Sequence, residues 1–380
     1  MQQVTLVRGA RQLLTLRGPS GPRRGADLRN LGIIQDGAVL IADGLIVEVG
    51  PSRRLENLAL ARGAQEVDAS GCVVLPGFVD GDVHLVKSAH EMSPRRLKIL
   101  ALRTVEEAVR CGTTAMGVKS GLGLTAAEAL KILRVYALLR ELPMTIVSTF
   151  LAGGVEAASR ERLVPMVRRH KLAEFIEIVC EAEARPLLAL ARQMNLGVKV
   201  GAGAIALAVK VGAISVNKVV EVSERDAMLL RNSQTIATLS PAVVFHGEQK
   251  QEEQKQEERY APARMLIDRG AAVALASGVH QLNMQIPIAV ACRCMNLTPA
   301  EAISASTING AYAMGQAASI GSIEAGKSAD LVILGIPDYR ELPYHFGVNL
   351  VNLVMSRGTV LMERSEVKWP APIDPNDCPE

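Results

Sequence analysis

Cys72-Val73-Val74-Leu75-Pro76-Gly77-Phe78-Val79-Asp80-Gly81-Asp82-Val83-His84 decides how the rest of the chain is read. Up to Asp80 it is an apolar strand that ends in a turn, and its polar end carries Asp82 and His84 two residues apart. Side chains alternate along a strand, so a carboxylate and an imidazole at that spacing share one face. Before this stretch, residues 1–75 read as short strands and tight turns, with Asp43-Gly44 joining two β-rich runs. After it the pattern becomes strand then helix. Apolar runs at 73–79, 113–118, 144–151, 174–180, 196–202, 213–221, 235–240 and 271–277 are each followed by a helical segment. Eight such units predict an α/β fold of the (β/α)8 TIM type, whose chemistry sits at the C-terminal ends of the strands.

Helix starts support the same division. Thr125 to Glu128, Ser223 to Asp226 and Thr298 to Glu301 have the spacing of capping boxes, in which hydroxyl and carboxylate satisfy the free amides of a first turn. Leu130, Leu133 and Ala137 are expected to form the inward stripe of the helix after Thr125. The tail from Gly321 onward is strand-rich again and is expected to join the N-terminal strands. The predicted organisation is a composite β-sandwich domain from 1–75 plus 318–380, and a barrel over 76–317. Residues 248–259 are almost wholly Gln, Glu, Lys and Arg, the composition of a solvated loop or of a lid over the mouth.

Composition narrows the functional classes. With 49% hydrophobic residues over 380 positions the chain can bury a large core. Lys and Arg number 42 against 39 Asp and Glu, with no concentrated basic stretch, so no nucleic-acid partner is expected. No apolar run approaches the roughly 18 residues a membrane span needs, and the expected location is cytoplasmic, without membrane association. Six scattered cysteines without a Cys-x-x-Cys pair fit reduced thiols. Cys292 and Cys294 are expected to be small buried hydrophobes rather than a redox or metal pair.

Several motifs together resemble the amidohydrolase superfamily, and within it the imidazolonepropionases. They are Gly9 to Leu16, Pro76-Gly77-Phe78-Val79-Asp80, Gly112 to Leu124 with its Lys119-Ser120-Gly121 element, Glu177 to Glu181, Thr307 to Tyr312 and Gly321 to Asp330. The resemblance covers nearly the whole chain. It implies enzymes that hydrolyse a cyclic C–N bond with a divalent metal, held by a His-x-His pair on strand one, histidines on strands five and six and an aspartate on strand eight. Those positions fall here on Asp82 and His84, Gly201, Lys218 and Gly278. The family's neighbouring glutamate falls on Ala204, its tyrosine after Lys-Ser-Gly on Leu122, and its histidine after strand three on Gly154.

A catalytic metal needs about three protein ligands and an open position for water. Asp82 and His84 are the residual metal candidates, and His280 is a further candidate near Gly278. The expectation is therefore that no cofactor is held, the alternative being one weakly bound Zn or Fe ion. Loss of a dication should be matched by loss of acids or gain of cations. On that argument Lys218 is predicted to pair with Asp82, with His84 hydrogen-bonded alongside.

Three functional readings follow. The chain is a silent paralogue kept for binding or assembly; or a metal-free enzyme using Lys218 as a Schiff-base amine, with Asp82 as the second catalytic candidate; or a hydrolase of cyclic amides with an atypical metal site. Gly201 and Gly203, which open a helix, together with Lys119, Lys218 and His280, are the predicted contacts for a small anionic molecule. The Gly201-Ala-Gly203 run also mimics a dinucleotide fingerprint, but its place in an eight-unit barrel argues against that role. A homodimer is expected by analogy with this fold.

Overall fold

In the computed structural model the described residues are 3–85, 92–121, 124–153, 155–242, 260–278 and 282–363, with the backbone of 366–367. Their strands form two sheets, one of nine strands and one of eight. The first begins with β1 (Val4–Leu14), β2 (Ile33–Ala42), β3 (Leu45–Pro51), β4 (Gln65–Asp68) and β5 (Val73–Pro76), and the short helix α1 (Ser52–Leu55) packs on it.

The barrel follows as β6 (Phe78–Val83) and α2 (Pro94–Arg110), β7 (Thr113–Lys119) and α3 (Ala126–Leu139), β8 (Thr145–Leu151) and α4 (Ala157–Arg169), and β9 (Phe175–Ile178) and α5 (Glu181–Gln193). It continues with β10 (Gly197–Val200) and α6 (Ile205–Val211), β11 (Ser215–Asn217) and α7 (Glu224–Arg231), and β12 (Ile236–Leu239) and α8 (Ala263–Asp268). The last unit is β13 (Val273–Leu275), followed by α9 (Gln285–Cys294), α10 (Pro299–Ala305) and α11 (Ile308–Ala313). All neighbouring pairs from β6 to β13 are parallel. The ring closes at a parallel bridge between Val83 and Gly278. Asp80 strengthens that closure, its Oδ1 accepting the Ser277 amide at 3.0 Å.

The chain then returns to the first sheet as β14 (Leu331–Leu334), β15 (Val351–Ser356), β16 (Thr359–Glu363) and β17 (Glu366–Val367). The path β17-β16-β15-β14-β5-β1-β2-β3 joins both ends of the chain, with β4 beside β1. Three strands separate β3 from β14, yet the Ile46 amide donates to Lys327 O at 2.9 Å. The sheet therefore curls round on itself, enclosing Val7, Val39, Ile46, Val74, Leu331 and Leu353. What the sequence presents as sandwich strands is one continuous curled sheet.

Two local expectations are revised. The apolar run expected to be a single strand over 73–79 splits at Gly77. Val73–Pro76 pairs antiparallel with β14, and the barrel strand starts at Phe78 and extends through Asp80 to Val83, where a turn is expected from the sequence. Every residue from Val73 to Val83 is buried, so hydrophobicity leaves no mark at the junction. A Cβ on Gly77 would lie 2.1 Å from Thr114 Oγ1, which explains glycine at the crossing. On α3 the buried residues are Ala129, Ile132, Leu133, Val135, Tyr136 and Leu139; Leu133 lies inward as predicted, whereas Leu130 and Ala137 are half-exposed. The three capping boxes form as predicted.

Candidate functional site: a buried ion cluster inside the barrel

Five polar side chains from five barrel strands converge inside the ring: Asp82 on β6, Lys119 on β7, Glu177 on β9, Lys199 on β10 and Asn217 on β11. None is more than 2% exposed. Strand register explains the convergence. Glu177 and Lys199 are paired Cα partners on adjacent strands, so their side chains leave the sheet on the same side. Lys119 ends the strand next to β6, within reach of Asp82.

Lys119 is the centre of the cluster. Its Nζ makes an ion pair with Asp82 Oδ1 and meets Glu177 Oε1 and Oε2 at 2.8 and 2.6 Å. Asn217 Nδ2 donates to Glu177 Oε2 at 3.0 Å and completes the carboxylate's partners. Burial works against the Lys119 charge, but Asp82 and Glu177 outweigh it and raise the pKa above the ordinary lysine value. Burial likewise opposes the Asp82 carboxylate, yet Lys119, with further help from His84 and Lys199, holds its pKa below the usual aspartate value. Each charge is held by its opposite, as a buried pair requires.

Lys199 is held differently. It is fully buried and, among the described residues, its Nζ makes no hydrogen bond. The amine lies 5.0 Å from the centre of the Phe175 ring, over its face. Burial and the neighbouring Lys119 charge lower its pKa to about 8, with Glu177 and Asp82 opposing. The two amines of the cluster therefore diverge, the pKa of one held above the ordinary lysine value and that of the other drawn well below it. Asp80 is also fully buried, and its Oδ2 has no partner among the described residues. Its pKa is pushed up to about 7, chiefly by burial, with the hydrogen bond from Ser277 opposing.

Several sequence expectations change here. The cation beside Asp82 is Lys119, not Lys218. Lys218 is exposed, follows β11 with a left-handed φ of 57°, and makes no ion pair with Asp82 among the described residues. The inward position on that strand belongs to Asn217, and alternation turns the next residue away. Lys119 in turn is committed to two carboxylates rather than open to an anion.

The amides at the glycine-rich helix start are also taken. Gly201 donates to Ile178 O, Gly203 to Asn217 O, Ala204 to Gly201 O and Ile205 to Gly203 O. The anion cradle predicted from Gly201 and Gly203 therefore has no free donors at those four positions. Cys294 is exposed rather than buried, while Cys292 is half-buried and burial pushes its thiol up to about 12. His280, Leu122, Gly154 and residues 248–259 lie outside the described residues. His84 is half-buried and close enough to Asp82 to lower its pKa.

The residues that sequence reasoning passed over are Asp80, Glu177, Lys199 and Asn217. One sequence signal marks them: polar side chains inside otherwise apolar barrel strands.

The Lys119 ammonium sits on both carboxylates, and Gly201 and Gly278, at two of the positions the resemblance assigns to ligands, have no side chain to offer. Gly201 is moreover needed as glycine. A Cβ there would stand 2.7 Å from Glu177 Oε1 and 3.2 Å from Val179 Cγ1, so a larger residue would push Glu177 off Lys119. Among the described residues no group of three or more His, Cys, Asp or Glu is arranged to hold a metal ion, and no helix is long and apolar enough to cross a membrane.

Known proteins resemble the chain along nearly its whole length. The amidohydrolase family profile matches residues 73–361. The imidazolonepropionase of Parabacteroides distasonis is 34% identical over 419 aligned positions, covering 94% of this chain and 98% of that protein. The imidazolonepropionase of Symbiobacterium thermophilum is 32% identical, with 96% and 98% covered. Among solved structures, an Aspergillus niger (A. niger) ochratoxinase superposes with a TM-score of 0.75 at 17% identity, covering 95% of this chain and 96% of that one. A zinc-bound adenosine deaminase from Xanthomonas campestris gives 0.73 at 17% identity, covering 96% and 94%. At that identity the two structures speak for the fold, and the sequence relatives speak for descent. The chain belongs to the amidohydrolase family, and within it to the imidazolonepropionase-like group.

Proposed function

We propose that this chain is a metal-free member of its family, in which the Lys119 ammonium supplies the positive charge of the barrel centre, and that it serves as a binding or assembly protein rather than a metal-dependent hydrolase. The observation that carries the reading is the placement of Lys119 Nζ on both Asp82 and Glu177. A dication and an ammonium cannot share two carboxylates at bonding distance without strong repulsion. The glycines at 201 and 278 support the same reading, since they remove ligands from two further strands.

One observation favours a second reading, hydrolysis of a cyclic amide C–N bond by an atypical site. Relatives named imidazolonepropionase match at 30–34% identity over almost the full chain. The test is metal analysis of protein purified without chelator, together with hydrolysis of an imidazolone ring followed with and without added Zn or Fe. The first reading expects substoichiometric metal and no metal-dependent turnover. Stoichiometric metal with turnover that a chelator abolishes would overturn it.

A further inference from the structure

The outer ring of barrel helices leaves a gap between α5 and α6. α6 has 7 residues against the 13 of α5. At about 1.5 Å per residue it is roughly 10 Å long and cannot cover a neighbouring flank of roughly 20 Å. A groove of about 560 Å³ runs between the two helices. Its apolar floor is Leu188 of α5 with Leu207 and Val211 of α6, Leu207 buried and the other two half-buried. Arg185, Arg192 and Lys210 stand exposed along its sides.

The charges around the groove are unevenly matched. Lys210 faces Glu181, the acid of the groove, at 3.7 Å. Arg185 and Arg192 have no ion pair among the described residues, although Arg160 of α4 is matched by Glu183 of α5 at 2.8 Å. Residues 185, 188 and 192 share one stripe of α5, so the two guanidinium groups bracket an apolar side chain along the open flank. A two-fold pair of this chain built on that face would set these arginines against each other, which argues against a second copy as the occupant.

We propose that the α5–α6 groove docks an acidic amphipathic helix of a partner protein, its apolar stripe on Leu188, Leu207 and Val211 and its carboxylates on Arg185 and Arg192. A helix suits the slot because side chains three and four residues apart form ridges that pack between two helix axes. Arginine meets a carboxylate with a fork of donors while its stem lies along apolar surface, so the same residues serve both halves of the contact. The inference names a partner for the binding role proposed above and rests on that role, and it uses no residue of the barrel centre.

The probe is a fluorescein-labelled helical peptide of about 14 residues, close to the length of α5, with leucines at i, i+3, i+4 and i+7 and glutamates on both flanks. Anisotropy titrations of the full chain compare it with the same peptide carrying lysine in place of glutamate. The expected Kd for the acidic peptide is at or below about 100 µM at low salt, with binding about tenfold weaker or worse for the lysine peptide and for the Arg185→Glu/Arg192→Glu protein, and with both differences shrinking as salt rises. Both arginines are exposed, so the double variant should keep the circular dichroism and melting midpoint of wild type. Equal affinity for the two peptides, equal affinity of the two proteins, or no binding up to about 1 mM would overturn the proposal. So would a dimer in sedimentation that the double substitution dissociates, since the face would then belong to a second copy. Metal is measured on the same sample, so the two ideas fail separately: stoichiometric metal counts against the metal-free reading alone, and a peptide that does not bind counts against the groove alone.

Discussion

Replacing Lys119 with methionine tests the centre of the barrel most directly. The substitution keeps the length of the side chain and removes the ammonium, leaving Asp82 and Glu177 facing each other in a region no more than 2% exposed. Glu177 retains Asn217 and Asp82 retains the nearby His84, so neither carboxylate is stripped of every partner. Removing one member of a buried ion pair costs about 3–5 kcal/mol, because the charge left behind has neither water nor counter-ion. Unfolding entropy of about 2.1 cal/mol/K per residue gives roughly 0.8 kcal/mol/K for a chain this long, so the midpoint should fall by roughly 4–6 °C.

Scanning calorimetry of wild type, Lys119→Met and the triple variant that also carries Asp82→Asn and Glu177→Gln measures the effect. The triple variant has no buried charge to strand and is expected within about 1 kcal/mol of wild type, since neutral replacements of a buried ion cluster are often tolerated. A Lys119→Met protein as stable as wild type would refute the argument that the cluster is a mutually dependent unit. A triple variant as unstable as the single one would show that shape rather than charge holds the centre.

Three further outcomes follow from the same geometry. Because the folded pKa of Lys199 lies below its unfolded value, the unfolded chain binds more protons between about pH 8 and 10.5 and stability contributed by this group rises with pH across that window; wild type should gain roughly 2 kcal/mol relative to Lys199→Met between pH 8 and 10 in urea titrations. Parallel curves for the two proteins would contradict the buried-amine assignment. Gly201→His should destabilise by about 2–4 kcal/mol by displacing Glu177 from Lys119, and adding Glu177→Ala should recover part of that loss, a coupling that a double-mutant cycle reads. Gly77→Ala should cost about 1–3 kcal/mol through its clash with Thr114, with Thr114→Gly as the relieving second change; purely additive effects in thermal melts would count against a steric cause.

The sequence made the strand-and-helix alternation and the capping boxes readable because both depend on local patterns: periodicity in one case, a hydroxyl and a carboxylate three residues apart in the other. The break at Gly77 left no such pattern, since Val73–Pro76 and Phe78–Val83 are buried in different surroundings but equally apolar in their first residues. The departures from the ligand pattern that the resemblance implies are readable residue by residue at Asp82, Gly201 and Gly278. The cation that pairs with Asp82 is not, because the altered position is Lys218 whereas the partner is Lys119. Strand order offers the better guide. Strand one of a closed barrel touches strands two and eight, so Lys119 at the end of β7 is the natural neighbour of Asp82, while Lys218 follows β11. Lys199 and Glu177 became meaningful once register placed them side by side.

The pairing of β5 with β14 bears on how the chain matures at the ribosome. β5 is the segment that leads directly into the strand carrying Asp80 and Asp82, and its antiparallel partner, Leu331–Leu334, is made some 250 residues later. The Gly77 amide likewise waits for Asp330 O, at 3.0 Å. Until those residues emerge, the segment flanking the first barrel strand is paired only along its β1 edge, and contacts this distant in sequence are slow to form. Nascent chains halted before Leu331 should therefore remain sensitive to protease around residues 73–83, and resistance there should appear late and abruptly, once the returning strand has left the exit tunnel.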